Sequence, residues 1–286
     1  RTLCFFDVLD YPPTITEWIA WSDQQDKELL SERELFGASQ RLIQEKRVSF
    51  VHGRVTLLGR EDLIAIHEER VRFQPRKLRR ARAVTTWLQR IQGVRFVALC
   101  NTTALGHARD VATESNVLWQ VRGWATLPFK LLGKRPVGDQ EIPDAVCLSF
   151  FIDDSALDIS KLAFAQDDPY LRYWFLALLP LYDDGIGKVF WQQNATLRVR
   201  HPLASPWLVN GDLAQRSPML KIPAAAIFEP SARQLQQRVL PAALQQESSD
   251  HSVVCTSHVL KFHTQDARAE LRARYIERCK TYDVEP

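Results

Sequence analysis

Val94-Arg95-Phe96-Val97-Ala98-Leu99-Cys100-Asn101-Thr102-Thr103-Ala104-Leu105-Gly106 is the stretch on which the fold turns. The apolar run from Val94 to Cys100 is too short for an amphipathic helix and reads as a buried strand. Asn101 to Gly106 then forms a polar, glycine-ended turn. A loop follows, leading into Glu114-Ser115-Asn116-Val117 and a helix-like run, Leu118 to Leu132, ended by Gly133 and kinked at Pro128. Cys147-Leu148-Ser149-Phe150-Phe151-Ile152 is the second strong strand candidate.

Upstream, residues 2–10 read as an apolar helix stopped by Tyr11-Pro12-Pro13-Thr14, since consecutive prolines cannot continue a helix. Thr14 and Glu17 have capping-box spacing for a second helix through Trp18 and Ile19. Ser31 caps a third, Glu32 to Lys46. Two alternating runs around His52-Gly53 predict a hairpin. Three helices and a hairpin is the order of a winged-helix domain. From Arg60 to about Arg90 the pattern is helical and basic, with Pro75 dividing it into two helices. Downstream of Pro169 the reading is mainly helical: Tyr170 to Leu181, Lys188 to Leu197, Ser231 to Gln246 and Asp266 to Lys280. Glu247-Ser248-Ser249-Asp250 reads as an exposed loop.

At 286 residues, 45% hydrophobic and 25% charged, the chain has the balance of a globular protein with a sizeable core. A net charge of +3 does not by itself imply nucleic-acid binding. Cys4, Cys100, Cys147, Cys255 and Cys279 are scattered and form no CxxC pair, which fits a reducing, cytoplasmic setting. No run approaches the ~20 apolar residues of a membrane span, and no membrane partner is expected. The chain begins at Arg1, without Met and inside a helix-like pattern, so residues of the natural product are expected to be missing.

In order along the chain, Phe5-Phe6-Asp7-Val8-Leu9-Asp10-Tyr11-Pro12, the Gly53 hairpin, Val94 to Gly106, Leu118-Trp119-Gln120-Val121-Arg122, Leu131-Leu132-Gly133, Cys147 to Phe151 and Lys261-Phe262-His263 resemble blocks of a known group. These are bacterial and archaeal nucleotidyltransferase-domain proteins of the polymerase-beta-like superfamily. The resemblance implies an α+β fold. Its parts would be a winged-helix-like region over 1–60, basic connecting helices over 61–93, a nucleotidyltransferase-like mixed-sheet core over 94–165 and a helical region over 166–286. It also implies a Gly-Ser loop for the triphosphate and paired Asp residues for two divalent metals.

On that pattern Asn101 stands for the loop Gly, Thr102 for Ser and Asn116 for the first metal-binding Asp, and the second Asp is absent. A neutral amide is a poor Mg²⁺ ligand. About ten residues of family pattern are missing where Val117 joins Leu118. Either a strand has been lost or a segment is omitted; alternatively, Asn116 to Val121 is itself recruited as the strand. Asn101, Thr102, Gly106, Ser115 and Asn116 are the residues of this degenerate nucleotide-binding loop. Asp153 and Asp154 are substitute metal ligands, or a polar turn closing a strand. Asp168-Pro169 and Asp184-Gly185 read as helix caps and turns.

The basic run from Arg70 to Arg82 offers Arg76, Lys77, Arg79 and Arg80 as contacts to phosphate or nucleic acid. The alternative is a solvated face paired with Glu68 and Glu69, and no regular aromatic interleaving supports strand stacking. The third helix carries too many acids for a typical DNA-reading helix. His251, His258 and His263 lack metal-site spacing. The expected function is a catalytically degenerate family member acting as a binding or complex subunit, with a protein complex or nucleic acid as partner and no cofactor. The alternative is an active enzyme that uses Mg²⁺ and NTP to transfer a nucleoside monophosphate.

Overall fold

The computed structural model describes residues 1–25, 29–90, 93–107, 115–120, 146–164, 167–206, 253–256, 258–262 and 267–286; for 115–120, 146–149 and 262 only the backbone is described. These residues form an α+β protein with a two-stranded hairpin and a six-stranded mixed sheet.

Helix α1 (Thr2–Val8) is buried along its whole length. In α2 (Ile15–Ala20) the Thr14 hydroxyl accepts from the Glu17 backbone N–H at 3.2 Å, while the Glu17 carboxylate accepts from the Thr14 N–H at 2.7 Å. Ser31 and Glu34 repeat this reciprocal cap at α3 (Glu32–Gln44). Strands β1 (Val48–Val51) and β2 (Arg54–Leu57) pair antiparallel. Their turn residues His52 and Gly53 both take positive φ, 49° and 78°, as a tight hairpin of matching twist requires. Helices α4 (Asp62–Val71) and α5 (Gln74–Leu88) follow. Pro75 lies in the first turn of α5, where a missing N–H costs nothing, so it divides the helices.

Strand β3 (Phe96–Leu99) lies between β4 (Ser115–Gln120) and β6 (Leu179–Asp183), antiparallel to both. Strand β5 (Val146–Ile152) is parallel to β4, and β8 (Val259–Phe262) joins β5 to β7 (Val253–Cys255). The short α6 (Asn101–Ala104) leaves β3. Helices α7 (Pro169–Leu176), α8 (Ile186–Gln193), α9 (Ala195–Arg198) and α10 (Arg268–Thr281) complete the described elements. No helix among the described residues is long and apolar enough to cross a membrane.

Successive strand side chains point to opposite faces, so a strand with a core on each side must be apolar throughout. Phe96 and Ala98 join Phe5, Phe175 and Phe190 on one face of β3. Val97 and Leu99 join Ala81 and Leu88 of α5, with Leu179 and Leu181, on the other. Fully burying each of the Val, Leu and Phe side chains stabilises the fold by about 1.5–3 kcal/mol. Asp23 connects the N-terminal helices to this body. Its carboxylate is buried and accepts from Arg200 at 2.7 and 2.6 Å, with Arg172 at 3.6 Å.

The structure departs from the sequence reading in four places. Residues 115–120 are strand, which bears out the alternative that Asn116 to Val121 is recruited as the strand and overturns the helix expected from Leu118; the rest of that helix, to Leu132, lies outside the described residues. The Val117–Leu118 junction therefore falls within β4, at a register irregularity against β5. The expected helix Tyr170 to Leu181 stops at Leu176 and becomes β6. Pro180 cannot donate to a ladder and is tolerated because β6 is a sheet edge.

The region 166–286, expected to be helical, thus supplies β6, β7 and β8, and the sheet does not close at residue 165. The expected helix Lys188 to Leu197 is interrupted at Asn194. That buried amide donates to the Leu157 and Phe190 carbonyls and accepts from the Ile159 N–H. Ser231 to Gln246, Glu247 to Asp250, His251 and His263 lie outside the described residues.

Candidate functional site

The end of β3 delivers the chain into the loop Asn101 to Gly106. Asn101 takes φ 61°, a left-handed conformation that Asn tolerates better than other side-chain-bearing residues. Its side-chain oxygen accepts from the Tyr170 hydroxyl at 2.6 Å. The Thr103 carbonyl accepts from the Gln74 side-chain amide of α5 at 2.7 Å. The Gly106 N–H donates to the same carbonyl at 3.2 Å, and the His107 N–H donates to the Thr102 carbonyl at 2.9 Å. Asn101 and Thr102 are half-buried, with Thr103 and Ala104 beneath them.

His107, at the loop's far end, is buried with its Nδ1 3.0 Å from His67 Nδ1 and its ring stacked on His67 at 5.3 Å between centroids. The Arg70 guanidinium contacts His107 Nε2 and reaches Asp10 at 3.1 Å. A guanidinium only donates, so His107 Nε2 accepts and its Nδ1–H donates to His67. Burial, reinforced by the positive charges of Arg54 and Arg70, pushes His67 down to about 4. His67 is therefore neutral at ordinary pH. The pair fastens the loop end to α4 and to Tyr11, whose ring lies edge-on to both imidazoles.

Ser115 and Asn116 open β4. Leu99 pairs with Val117, so both residues lie at the sheet end from which Asn101 and Thr102 emerge. The structure thus brings together the backbone positions of the expected loop residues. Asp153 and Asp154 do not join them. They follow Ile152, which pairs with Gln120, while Asn116 pairs with Cys147. Those two rungs are separated by roughly 15 Å of strand at ~3.3 Å per residue. The substitute ligands expected from the sequence therefore stand at the opposite end of the sheet from the loop.

Each of these acids has other partners. The Arg95 guanidinium lies between Asp154, at 2.8 Å, and Asp184, at 3.0 Å. Asp153 accepts from the Ser155 hydroxyl at 2.6 Å and the Ser155 N–H at 2.8 Å, and stands 2.7 Å from His258 Nδ1. Partial burial pushes the Asp153 carboxyl up, but the hydrogen bonds from Ser155 and His258 outweigh it and hold the group below the usual carboxylate range.

Ser155 Oγ is 2.9 Å from the same Nδ1. A nucleophilic triad needs serine on one ring nitrogen and the acid on the other, so this cluster closes a turn. Among the described residues no three His, Cys, Asp or Glu side chains gather to hold a metal. The expected cap at Asp168 is present, accepting from the Leu171 N–H at 2.9 Å; at Asp184-Gly185 the chain turns, but Asp184 pairs with Arg95 and it is Asp183 that accepts from the N–H groups of Gly185 and Gly187.

Of the four basic candidates, Arg76, Arg79 and Arg80 are exposed on α5. Lys77 is 2% exposed, on the face turned to the core, and is corrected from a phosphate contact to a buried side chain. The expected pairing of this run with Glu68 is not the contact made there, since Glu68 meets His52 at 2.9 Å. Sequence reasoning missed Tyr170, Arg95 and the pair His67–His107. Each acts across a long separation, and none carries a local signal. No protein-family model, curated protein or solved structure matches this chain.

Proposed function

We propose that this chain is a catalytically degenerate relative of the polymerase-beta-like nucleotidyltransferases that works by binding, as a subunit or partner-recruiting module. The observation that carries the reading is the position of the acids. Asp153 and Asp154 stand a strand's length from the Asn101–Gly106 loop and are engaged by His258 and Arg95. Two-metal phosphoryl chemistry needs carboxylates next to the bound triphosphate. At the loop end the first acid of the family pattern is the amide Asn116. Three helices followed by the β1–β2 hairpin support a winged-helix reading of the N-terminal region, with a protein complex or nucleic acid as partner.

One observation favours the alternative, an active Mg²⁺-dependent enzyme that uses NTP: Asn101, Thr102, Ser115 and Asn116 share one sheet end. The test is incubation of the chain with each α-phosphate-labelled NTP, Mg²⁺ or Mn²⁺ and a mixture of RNA and protein acceptors. No label transfer is expected. Transfer that disappears in Thr102→Val would overturn the degenerate reading.

A further inference from the structure

We propose that the exposed face of α5 is a docking surface for single-stranded nucleic acid, with Arg76, Arg79 and Arg80 contacting phosphates and Trp87 stacking on a base. The proposal rests on the binding reading above and names its partner. The helix period places Arg76, Arg80, Ala83 and Trp87, spaced four, three and four, on one stripe, with Arg79 alongside. All five are exposed, whereas Lys77, Ala81 and Leu88 on the other side are buried. Trp87 is 66% exposed, so its ring is open to a stacking partner. The Arg90 guanidinium lies 5.0 Å from the Trp87 ring centroid, so a base stacked on the ring would extend a cation–π pair.

The surroundings favour an anion. No Asp or Glu occurs in the sequence between Glu69 and Asp110. Among the described residues Arg79 and Arg80 make no ion pair, and Glu68 is turned to His52. From Arg76 to Trp87 the stripe runs about 16 Å at ~1.5 Å per residue, enough for several nucleotides. Duplex bases are stacked within the helix and cannot reach Trp87, so the aromatic platform selects unpaired strands. A membrane-surface helix needs a broad exposed apolar face, but the apolar side of α5 is packed against the sheet.

The test is fluorescence anisotropy of the full chain with labelled oligo(U) and oligo(dT) of about 15 nucleotides, within the single-strand site-size range. The expected Kd is on the order of 10⁻⁵ M at about 50 mM salt. Arg79→Gln with Arg80→Gln should weaken binding and flatten the log–log salt slope by about 1.4. Trp87→Ala should weaken it roughly ten-fold or more, and Trp87→Phe should restore most of the loss. Circular dichroism confirms that each variant is folded.

The proposal is overturned by absence of binding by the folded wild-type chain, or by indifference to the Arg79/Arg80 or Trp87 substitutions. Equal capture of duplex, of anionic vesicles or of polyglutamate also overturns it. Failure of the degenerate reading is separate: it would show as label transfer from NTP, whatever the oligonucleotides do.

Discussion

The Tyr170 hydroxyl donates a 2.6 Å hydrogen bond to the side-chain oxygen of Asn101. This bond joins α7 to the first residue of the loop, which on the proposed relationship stands where the nucleotidyltransferase pattern has a bare glycine. It gives the added side chain a structural role and holds Asn101 in its left-handed conformation. Tyr170→Phe should therefore cost about 0.5–1.5 kcal/mol in urea unfolding, the net worth of one such bond. Asn101→Gly should cost a similar amount, because glycine keeps the backbone conformation. Asn101→Val should cost about 1–2 kcal/mol more, because a β-branched residue resists positive φ. Equal stability of the Gly and Val variants would show that the left-handed turn is not maintained in solution.

Gly187 packs against the strand layer. A Cβ there would stand 2.5 Å from Asp183 Oδ2 and 3.1 Å from the Phe96 ring. The Asp183 carboxylate cannot retreat without releasing the Gly185 and Gly187 N–H groups at the start of α8. Helix propensity favours alanine by about 1 kcal/mol, whereas overpacking and a lost cap cost about 1–3 kcal/mol. Gly187→Ala is thus expected to lower stability despite lying in a helix. A rise in Tm would contradict the contact.

Asp23 is buried between Arg172 and Arg200. Asp23→Asn keeps the shape but removes the charge that both guanidinium groups face. Because Asp167 remains beside both, the loss should fall at the low end of a broken buried pair, about 3 kcal/mol. Chemical denaturation of the variant checks this, and a change below about 0.5 kcal/mol would place the pair in the solvent-exposed class.

What the sequence revealed and what it hid divide along contact range. The Thr14–Glu17 box, the Ser31 cap, the His52-Gly53 turn and the Pro75 boundary are set within a few residues, and all are present. Leu178 to Leu181 was read as helix because a run buried on both faces carries no period, and β3 decides its conformation from outside. For residues 116–120 the sequence leaves helix and recruited strand both open, and β3 and β5 hold them as strand from either side. At the candidate site, Asn101 and Thr102 were found because they follow a strong strand. Their partners Tyr170, Gln74 and His107 were not, since only the assembled fold places them. The separation of Asp153 and Asp154 from the loop follows from strand direction, which composition does not encode.

His67 and His201 give a pH prediction. Burial pushes each down to about 4 from an ordinary value near 6.5. The unfolded chain therefore binds more protons than the native one between those values. Stability is fully present above pH 6.5 and is lost as pH falls toward 4, by at most about 3 kcal/mol per histidine. Asp153 and Asp167, both held below the usual range, add their losses only below about pH 4. Urea midpoints measured from pH 7.5 to 4.5 should fall steadily, and His67→Gln with His201→Gln should flatten the fall. An unchanged profile in the double variant would exclude these histidines as its cause.

Calorimetric titration of the full chain with each NTP in the presence of Mg²⁺ tests the central claim most directly. With the amide Asn116 at the loop end of the sheet, Asn101 bonded to Tyr170, and Asp153 and Asp154 at the far end, no Mg²⁺-dependent binding tighter than about 1 mM, a free energy near −4 kcal/mol, is expected on the proposed reading. Micromolar binding that requires Mg²⁺ and is lost in Thr102→Val would contradict the account and return the loop to a working nucleotide site.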